Sequence, residues 1–143
     1  MKIGEILRHK GHDVVTIGEA RTVLEAVGVL VRHNIGAVVV TDRTRLTGIF
    51  TERDVLRLTA RSPDALATTT VGDAMTREPI TATPDDELSE MMDVMTERKI
   101  RHLPVMDGDR LAGIVSIGDL LNACSVVAEE ENSHLRQYIQ GVG

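Results

Sequence analysis

Two short stretches of the sequence place a hydroxyl group three residues ahead of a carboxylate. Thr51 precedes Asp54, Ser116 precedes Asp119, and the equivalent residues of the two pairs lie 65 positions apart. This spacing is typical of a helix N-cap, in which both side chains bond backbone N–H groups at the start of a helix. The same helix start can seat a phosphate, while the carboxylate accepts two hydrogen bonds from a ribose diol. The pattern therefore indicates either a purely structural cap or a nucleoside phosphate site.

The residues that precede each pair predict a buried strand that runs directly into a helix. Identical residues recur at the same offset of 65 elsewhere in the chain, including Thr16 and Thr81, Glu25 and Glu90, Ile35 and Ile100, Val40 and Val105, Gly48 and Gly113, and Ile49 and Ile114. A register kept this strictly indicates an internal repeat.

Each copy is predicted to contain the same series of elements. The first has a helix with Ile3, Ile6 and Leu7 that ends at Gly11, a strand at 14–16, a helix at 22–33 that begins with the capping pair Thr22 and Glu25, strands at 35–40 and 46–50, and a helix from Thr51. The second has a helical segment at 71–75, a strand at 79–81, a helix with Leu88, Met91, Met92 and Met95 on one face, strands at 100–105 and 111–115, and a helix from Ser116.

The fold class that follows is α+β, with two β-α-β-β-α repeats. A half of about 60 residues is marginal alone, so the two are expected to pack through their sheets into one pseudo-twofold body. The predicted boundaries are residues 1–60 for the first repeat, 61–70 for a linker, 71–121 for the second repeat and 122–143 for a helical tail. In the tail, Val126, Val127, Leu135, Tyr138 and Ile139 fall loosely on one side, and Gly141 is the expected stop.

Charge and composition exclude several kinds of partner and location. A net charge of −6 disfavours sequence-independent binding of nucleic acid, which depends on many Lys and Arg contacts to phosphates. Neither a signal peptide nor an apolar run long enough to span a membrane is found. The single cysteine, Cys124, cannot form an internal disulfide, so a cytoplasmic location is expected.

The other constellations that carry chemistry are missing from the sequence. The five histidines are dispersed and Cys124 stands alone, so no metal site is predicted. No Gly-x-Ser-x-Gly or Walker pattern occurs, and Cys124 has no neighbouring His. We therefore expect no catalytic residues and no catalytic cofactor.

The chain resembles a stand-alone pair of cystathionine-β-synthase (CBS) domains over almost all of residues 2–121. The motifs that carry the resemblance are Ile35-Gly36-Ala37-Val38-Val39-Val40, Gly48-Ile49-Phe50-Thr51-Glu52-Arg53-Asp54, Ile100-Arg101-His102-Leu103-Pro104-Val105 and Gly113-Ile114-Val115-Ser116-Ile117-Gly118-Asp119. The resemblance implies a disc-like Bateman-type module, often a homodimer, with ligand clefts between the repeats. It also implies binding of AMP, ADP or ATP, and sometimes NAD or S-adenosylmethionine, for regulation.

The resemblance also assigns residues to two clefts, each drawing on both repeats. One cleft is expected to combine Thr51, Arg53, Asp54, Pro79, Ile80, Arg101 and His102. The other is expected to combine Val14, Val15, Gly36, Ala37, Ser116 and Asp119.

The two predicted clefts differ in charge. Gly36 and Ala37 stand at the positions of Arg101 and His102, so the first cleft should prefer the more highly charged nucleotide. The second should be weaker, empty or suited to a less charged ligand. Because side chains alternate along a strand, Arg101 or His102 could simply face solvent. In the first repeat Glu19 stands at the position that Pro84 holds in the second, which leaves the adenine pocket of the first repeat less defined.

The sequence thus predicts a non-enzymatic, adenine-nucleotide-sensing module that signals through its dimer or its tail to an effector protein not contained in this chain. The alternative is a scaffold protein whose clefts bind nothing and whose C-terminal helix mediates assembly. An enzyme is a third and less favoured class.

Overall fold

The computed structural model describes the backbone of residues 1–142 and the side chains of residues 1–133. Its elements, in chain order, are α1 (Ile3–Lys10), β1 (Thr16–Gly18), α2 (Val23–His33), β2 (Ala37–Asp42), β3 (Arg45–Thr51), α3 (Glu52–Arg61), α4 (Val71–Ala74), β4 (Thr76–Arg77), α5 (Leu88–Arg98), β5 (His102–Asp107), β6 (Arg110–Ser116) and α6 (Ile117–Val142).

The helix α2 shows how local sequence fixes an element. The Thr22 hydroxyl accepts a hydrogen bond from the Glu25 backbone N–H at 3.1 Å, as the capping pattern predicts. Val23, Ala26 and Leu30 are buried along one face. The helix ends where Asn34 adopts a left-handed conformation, which Asn tolerates better than most residues.

The strands form two sheets of unequal size. The larger has the order β1-β2-β3-β4, with β1 and β2 parallel and the other pairs antiparallel. The smaller consists of the antiparallel pair β5 and β6, beside which Ala82 forms one parallel bridge to Val105.

The predicted first strand of each repeat needs correction. The strand expected at 14–16 begins only at Thr16. The strand expected at 79–81 does not form, because Pro79 lacks a backbone N–H and only Ala82 bonds β5, to the backbone of Pro104 and Met106.

The two repeats exchange their opening helices. Ile3, Ile6 and Leu7 of α1 pack into the core of the second repeat, and Val71 and Met75, in and after α4, pack into the core of the first. Two equivalent glycines permit these close approaches. A Cβ atom at Gly113 would lie 2.7 Å from Leu7 Cδ2, and one at Gly48 would lie 2.5 Å from Met75 Sδ.

The predicted linker packs against the first repeat, and the segment predicted as a helical tail belongs to α6. Residues of the linker bond α2, through Val23 N–H to Thr69 O and Leu24 N–H to Leu66 O, each at 2.9 Å. The tail continues α6 without a break at residue 122, and the helix extends one residue beyond Gly141. The predicted orientation of Leu135, Tyr138 and Ile139 lies outside the described side chains. Within residues 1–142, no helix combines the length and apolar character needed to cross a bilayer.

Candidate functional site

A cleft of about 590 Å³ lies where α3 begins and where the chain leaves β4 and α5; we call it the first cleft. All seven residues predicted for it line its walls: Thr51, Arg53, Asp54, Pro79, Ile80, Arg101 and His102. The structure therefore brings together residues from both repeats, as the sequence predicts. That these residues bind a ligand stays a prediction.

Asp54 is the buried carboxylate of this cleft, with 6% of its surface exposed. Its Oδ2 atom accepts hydrogen bonds from the Thr51 backbone N–H at 2.9 Å and from the Thr51 hydroxyl at 3.3 Å. Its Oδ1 atom lies 3.9 Å from Arg57, which is too far for a hydrogen bond. Asp54 therefore has acceptor capacity left for a ligand hydroxyl.

The electrostatics of Asp54 reflect this incomplete pairing. Burial raises the pKa of Asp54 above its usual value, and the hydrogen bonds from Thr51 and the charge of Arg57 offset that effect only in part. The charged form of Asp54 therefore costs stability because burial removes part of its hydration. A ligand that donates hydrogen bonds to it would recover part of that cost.

The wall of the first cleft carries more basic than acidic side chains. Five are cationic, namely Arg53, Arg57, Arg98, Lys99 and Arg101, and three are acidic, namely Glu52, Asp54 and Glu78. Arg57, Arg98 and Lys99 were missed by sequence reasoning. Their signals were present, since Arg57 lies one turn after Arg53 on α3 and Lys99 stands two residues before Arg101. This wall suits an anionic ligand.

His102 lies half-buried between charged groups of both repeats. Burial and the charge of Lys10 lower the pKa of His102, as does Arg101, while Glu52 and Asp119 act in the opposite direction. The ring is therefore neutral near pH 7, because its pKa falls below 6.5. Both Arg101 and His102 line the cleft, and Arg101 remains largely exposed.

The residues predicted for the second cleft belong to several elements and have different surroundings. Gly36 lines the first cleft, and Ala37 is buried where β2 pairs with Thr51. Val15 packs partly buried against the core of the first repeat, and Val14 is partly buried beside it. Ser116 and Asp119 form the helix cap, with the Ser116 hydroxyl accepting from the Asp119 N–H at 3.1 Å.

Asp119 differs from Asp54 because it already has a cationic partner. Its Oδ2 atom accepts hydrogen bonds from the Ser116 backbone N–H at 2.8 Å and from Lys10 Nζ at 2.6 Å. Burial alone raises the pKa of Asp119, but the hydrogen bonds from Lys10 and Ser116 outweigh it, and the net shift is downward. Sequence reasoning found no cation for this site, because it did not place α1 on the second repeat.

Among the residues with described side chains, no group of three or more His, Cys, Asp or Glu is arranged to hold a metal ion. The candidate site is the first cleft, which residues of both repeats line.

Two α+β repeats that exchange their opening helices and share a cleft define a tandem repeat module. The CBS domain family model matches residues 3–61 and 71–126, and the chain belongs to this family. The recognition made from the four sequence motifs is thereby confirmed.

Three known proteins illustrate the similarity. The mitochondrial CBS domain-containing protein CBSX3 of Arabidopsis thaliana is 42% identical over 125 residues, which are 84% of this chain and 61% of that protein. A CBS-domain containing protein from Agrobacterium tumefaciens has a solved structure with a TM-score of 0.83 and 41% identity, covering 86% of this chain and 98% of its own. A CBS domain protein from Pyrobaculum aerophilum, solved in complex with AMP, has a TM-score of 0.74 and 28% identity, covering 83% and 89%. The chain thus spans less than two thirds of the Arabidopsis relative.

Proposed function

We propose that the protein is a regulatory module that binds an adenine nucleotide in the first cleft. The observation that carries the proposal is Asp54, a buried carboxylate with unused acceptor capacity at the start of α3. The vicinal hydroxyls of a ribose would supply the donors that it lacks. The complex of a family member with AMP supports a ligand of this class.

The basic wall of the first cleft favours a polyphosphate. Arg53, Lys99 and Arg101 can each pair with a phosphate oxygen, and the N-terminal end of α3 adds the positive end of its dipole. ATP and ADP should therefore bind more tightly than AMP, by about tenfold for each additional well-paired phosphate. NAD, which carries two phosphates, is a weaker candidate, and S-adenosylmethionine, which carries none, should bind least.

The proposed role is regulation. The CBS domain model matches both repeats, which together make up most of the chain. A bound nucleotide would bridge the start of α3 and the exit of α5, and so change how the repeats sit together. The change would reach a partner through a homodimer or through α6, with the cytoplasm as the expected location.

A thermal-shift screen with AMP, ADP, ATP, NAD and S-adenosylmethionine tests the proposal. A ligand at about 100 times its dissociation constant stabilises the fold by about 2.7 kcal/mol. For a chain of this length that corresponds to an increase of about 5–10 °C in melting temperature. Calorimetric titration then compares wild-type protein, Asp54→Asn and the matched control Asp109→Asn, which changes an exposed carboxylate in the β5–β6 turn. Asp54→Asn should abolish both nucleotide binding and the increase in melting temperature, and Asp109→Asn should preserve both.

The alternative function is a scaffold that assembles through its helices. Leu121 and Val126 on α6 are 54% and 41% exposed, which favours contact with another chain. If none of the five ligands raises the melting temperature while the protein still self-associates, the scaffold replaces the sensor.

A further inference from the structure

The side chain of Lys10 binds Asp119, the carboxylate equivalent to Asp54 in the second repeat. Its ammonium group donates to Asp119 Oδ2 at 2.6 Å and to the Ile114 carbonyl at 2.8 Å. The Ser116 backbone N–H also bonds Oδ2, so this oxygen already has two donors. The equivalent Asp54 receives both hydrogen bonds from Thr51 alone and has no cation within hydrogen-bond distance.

The position of Lys10 follows from the exchange of the opening helices. Near its C-terminal end α1 lies along β6, where Leu7 packs against Gly113 and the His12 ring lies 2.9 Å from the Ala112 carbonyl oxygen. Lys10 is the last residue of the helix and stands between these two contacts in the chain. The backbone on either side of it is therefore held against the second repeat.

The first repeat lacks this arrangement although its glycine contact is equivalent. Met75 packs against Gly48 as Leu7 packs against Gly113, but α4 ends at Ala74 and the chain continues as β4. Three residues beyond Leu7 the chain presents Lys10, whereas three residues beyond Met75 it presents Glu78, an acid on the wall of the first cleft. The two sites thus differ in the sign of the charge at this point.

We infer that Lys10 restricts the chain to one bound nucleotide, because its ammonium group replaces the ribose hydroxyls as the donor to Asp119. The inference rests on the proposed role of the two aspartates as diol acceptors. A ribose must displace the ammonium group before both oxygens of Asp119 can accept from its hydroxyls, whereas at Asp54 the competing donors are the neutral groups of Thr51 and no cation has to be displaced. A nucleoside with two vicinal hydroxyls is the class of ligand that Lys10 excludes.

Removal of the ammonium group should uncover the second site. The experiment uses the full chain with Asp54→Asn, so that only the second site can report, and measures AMP and adenosine by calorimetric titration. In Lys10→Met/Asp54→Asn both ligands should bind about tenfold more tightly than in Asp54→Asn, since Lys10 and Asp119 are partly exposed and their pairing is worth correspondingly less than a buried pair.

Three further variants make the result specific. Lys2→Met/Asp54→Asn removes an equally long cation at the other end of α1, where Lys2 lies 3.8 Å from Glu87, and should leave binding unchanged. Lys10→Arg/Asp54→Asn keeps the charge and should also leave it unchanged. The triple variant Lys10→Met/Asp54→Asn/Asp119→Asn should lose the affinity that Lys10→Met/Asp54→Asn gains. Lys10→Gln provides a polar replacement if Lys10→Met lowers solubility.

The inference fails if Lys10→Met leaves nucleotide affinity unchanged or lowers it, and a lower affinity would mean that Lys10 anchors the ligand. It fails equally if the doubly substituted chain binds neither ligand. The proposed function is judged separately, by whether wild-type protein binds ATP and Asp54→Asn does not.

Discussion

Asp54 and Asp119 occupy equivalent positions and have opposite effects on stability. The pKa of Asp54 is raised by burial, whereas the pKa of Asp119 is lowered by Lys10 and Ser116, whose hydrogen bonds outweigh the effect of burial. At pH 7 the ionised Asp54 therefore costs stability and the ionised Asp119 contributes it. A carboxylate retained at a stability cost indicates a functional role.

Neutral substitutions should separate these two effects. Asp54→Asn keeps an oxygen that accepts from the Thr51 N–H and removes the buried charge, so the free energy of unfolding should stay equal or rise by up to about 1 kcal/mol. Asp119→Asn loses the charged partner of Lys10 and should lower it by about 0.5–1.5 kcal/mol. Urea denaturation at pH 7 measures both. Equal losses for the two variants would contradict the assignment.

His102 should couple nucleotide binding to protons. The pKa of the free ring is lowered by burial and by Lys10, so the ring is neutral at pH 7, and its contribution to stability is lost as pH falls from about 6.5 through the folded-state pKa. A nearby phosphate favours the charged ring and raises this pKa. Binding then takes up a proton, and ATP affinity should be several-fold higher at about pH 6 than at about pH 8.

Calorimetric titration of ATP in two buffers of different ionisation enthalpy measures this proton uptake directly. His102→Gln keeps a polar side chain at the same place and should remove most of the pH dependence. A pH profile that is the same in wild-type protein and His102→Gln would exclude the ring as the titrating group.

The packing of the exchanged opening segments against the strands depends on Gly48 and Gly113, which have different neighbours. A Cβ at Gly48 would meet the Thr76 backbone oxygen at 2.7 Å as well as Met75, whereas the three atoms nearest to a Cβ at Gly113 all belong to the Leu7 side chain. A backbone atom held in a strand cannot move as a side chain can. Gly48→Ala should therefore cost about 2–3 kcal/mol and Gly113→Ala about 1–2 kcal/mol.

Gly18 provides the matched control for these substitutions. It lies exposed at the end of β1, and a Cβ there would meet nothing within 4 Å. Gly18→Ala should change the free energy of unfolding by less than about 0.5 kcal/mol, because the added methyl group meets no other atom. Thermal or urea unfolding ranks the three variants by their free energy of unfolding. A larger loss of stability in Gly113→Ala than in Gly48→Ala would contradict the prediction.

The sequence predicts those elements whose signals are local. The cap of Thr22 and the apolar faces of α2 and α5 lie where periodicity places them. The strand predicted at 79–81 is wrong. Repeat symmetry favours a strand there, but Pro79 has no backbone N–H to donate to a neighbouring strand. The hydrogen bonds within each helix cap were also accessible, since they join residues three positions apart.

Contacts between distant segments were not accessible from the sequence. The pairing of Lys10 with Asp119 joins residues at opposite ends of the chain, and it depends on which repeat α1 packs against. No property of Lys10 in the sequence distinguishes it from the other exposed lysines. The same applies to Gly36, whose position in the wall of the first cleft depends on where β2 begins relative to α3.

At the scale of the whole molecule, the helices present apolar side chains that the single chain leaves uncovered. Leu24 and Val31 are 51% and 75% exposed and lie seven positions apart, which places them on one face of α2. Leu121 on α6 is 54% exposed. A monomer would leave these side chains in water, whereas a homodimer could bury them.

Self-association through the α2 face is the last prediction. Wild-type protein should sediment as a dimer, and Leu24→Glu/Val31→Glu should shift it toward the monomer, because each glutamate would have to be buried without a partner. Thr44→Glu places a single glutamate in the exposed β2–β3 turn, outside α2, and should leave the dimer intact. Because Leu24 and Val31 do not line the first cleft, the monomeric variant should still bind ATP. A dimer that persists in Leu24→Glu/Val31→Glu would exclude this face as the interface.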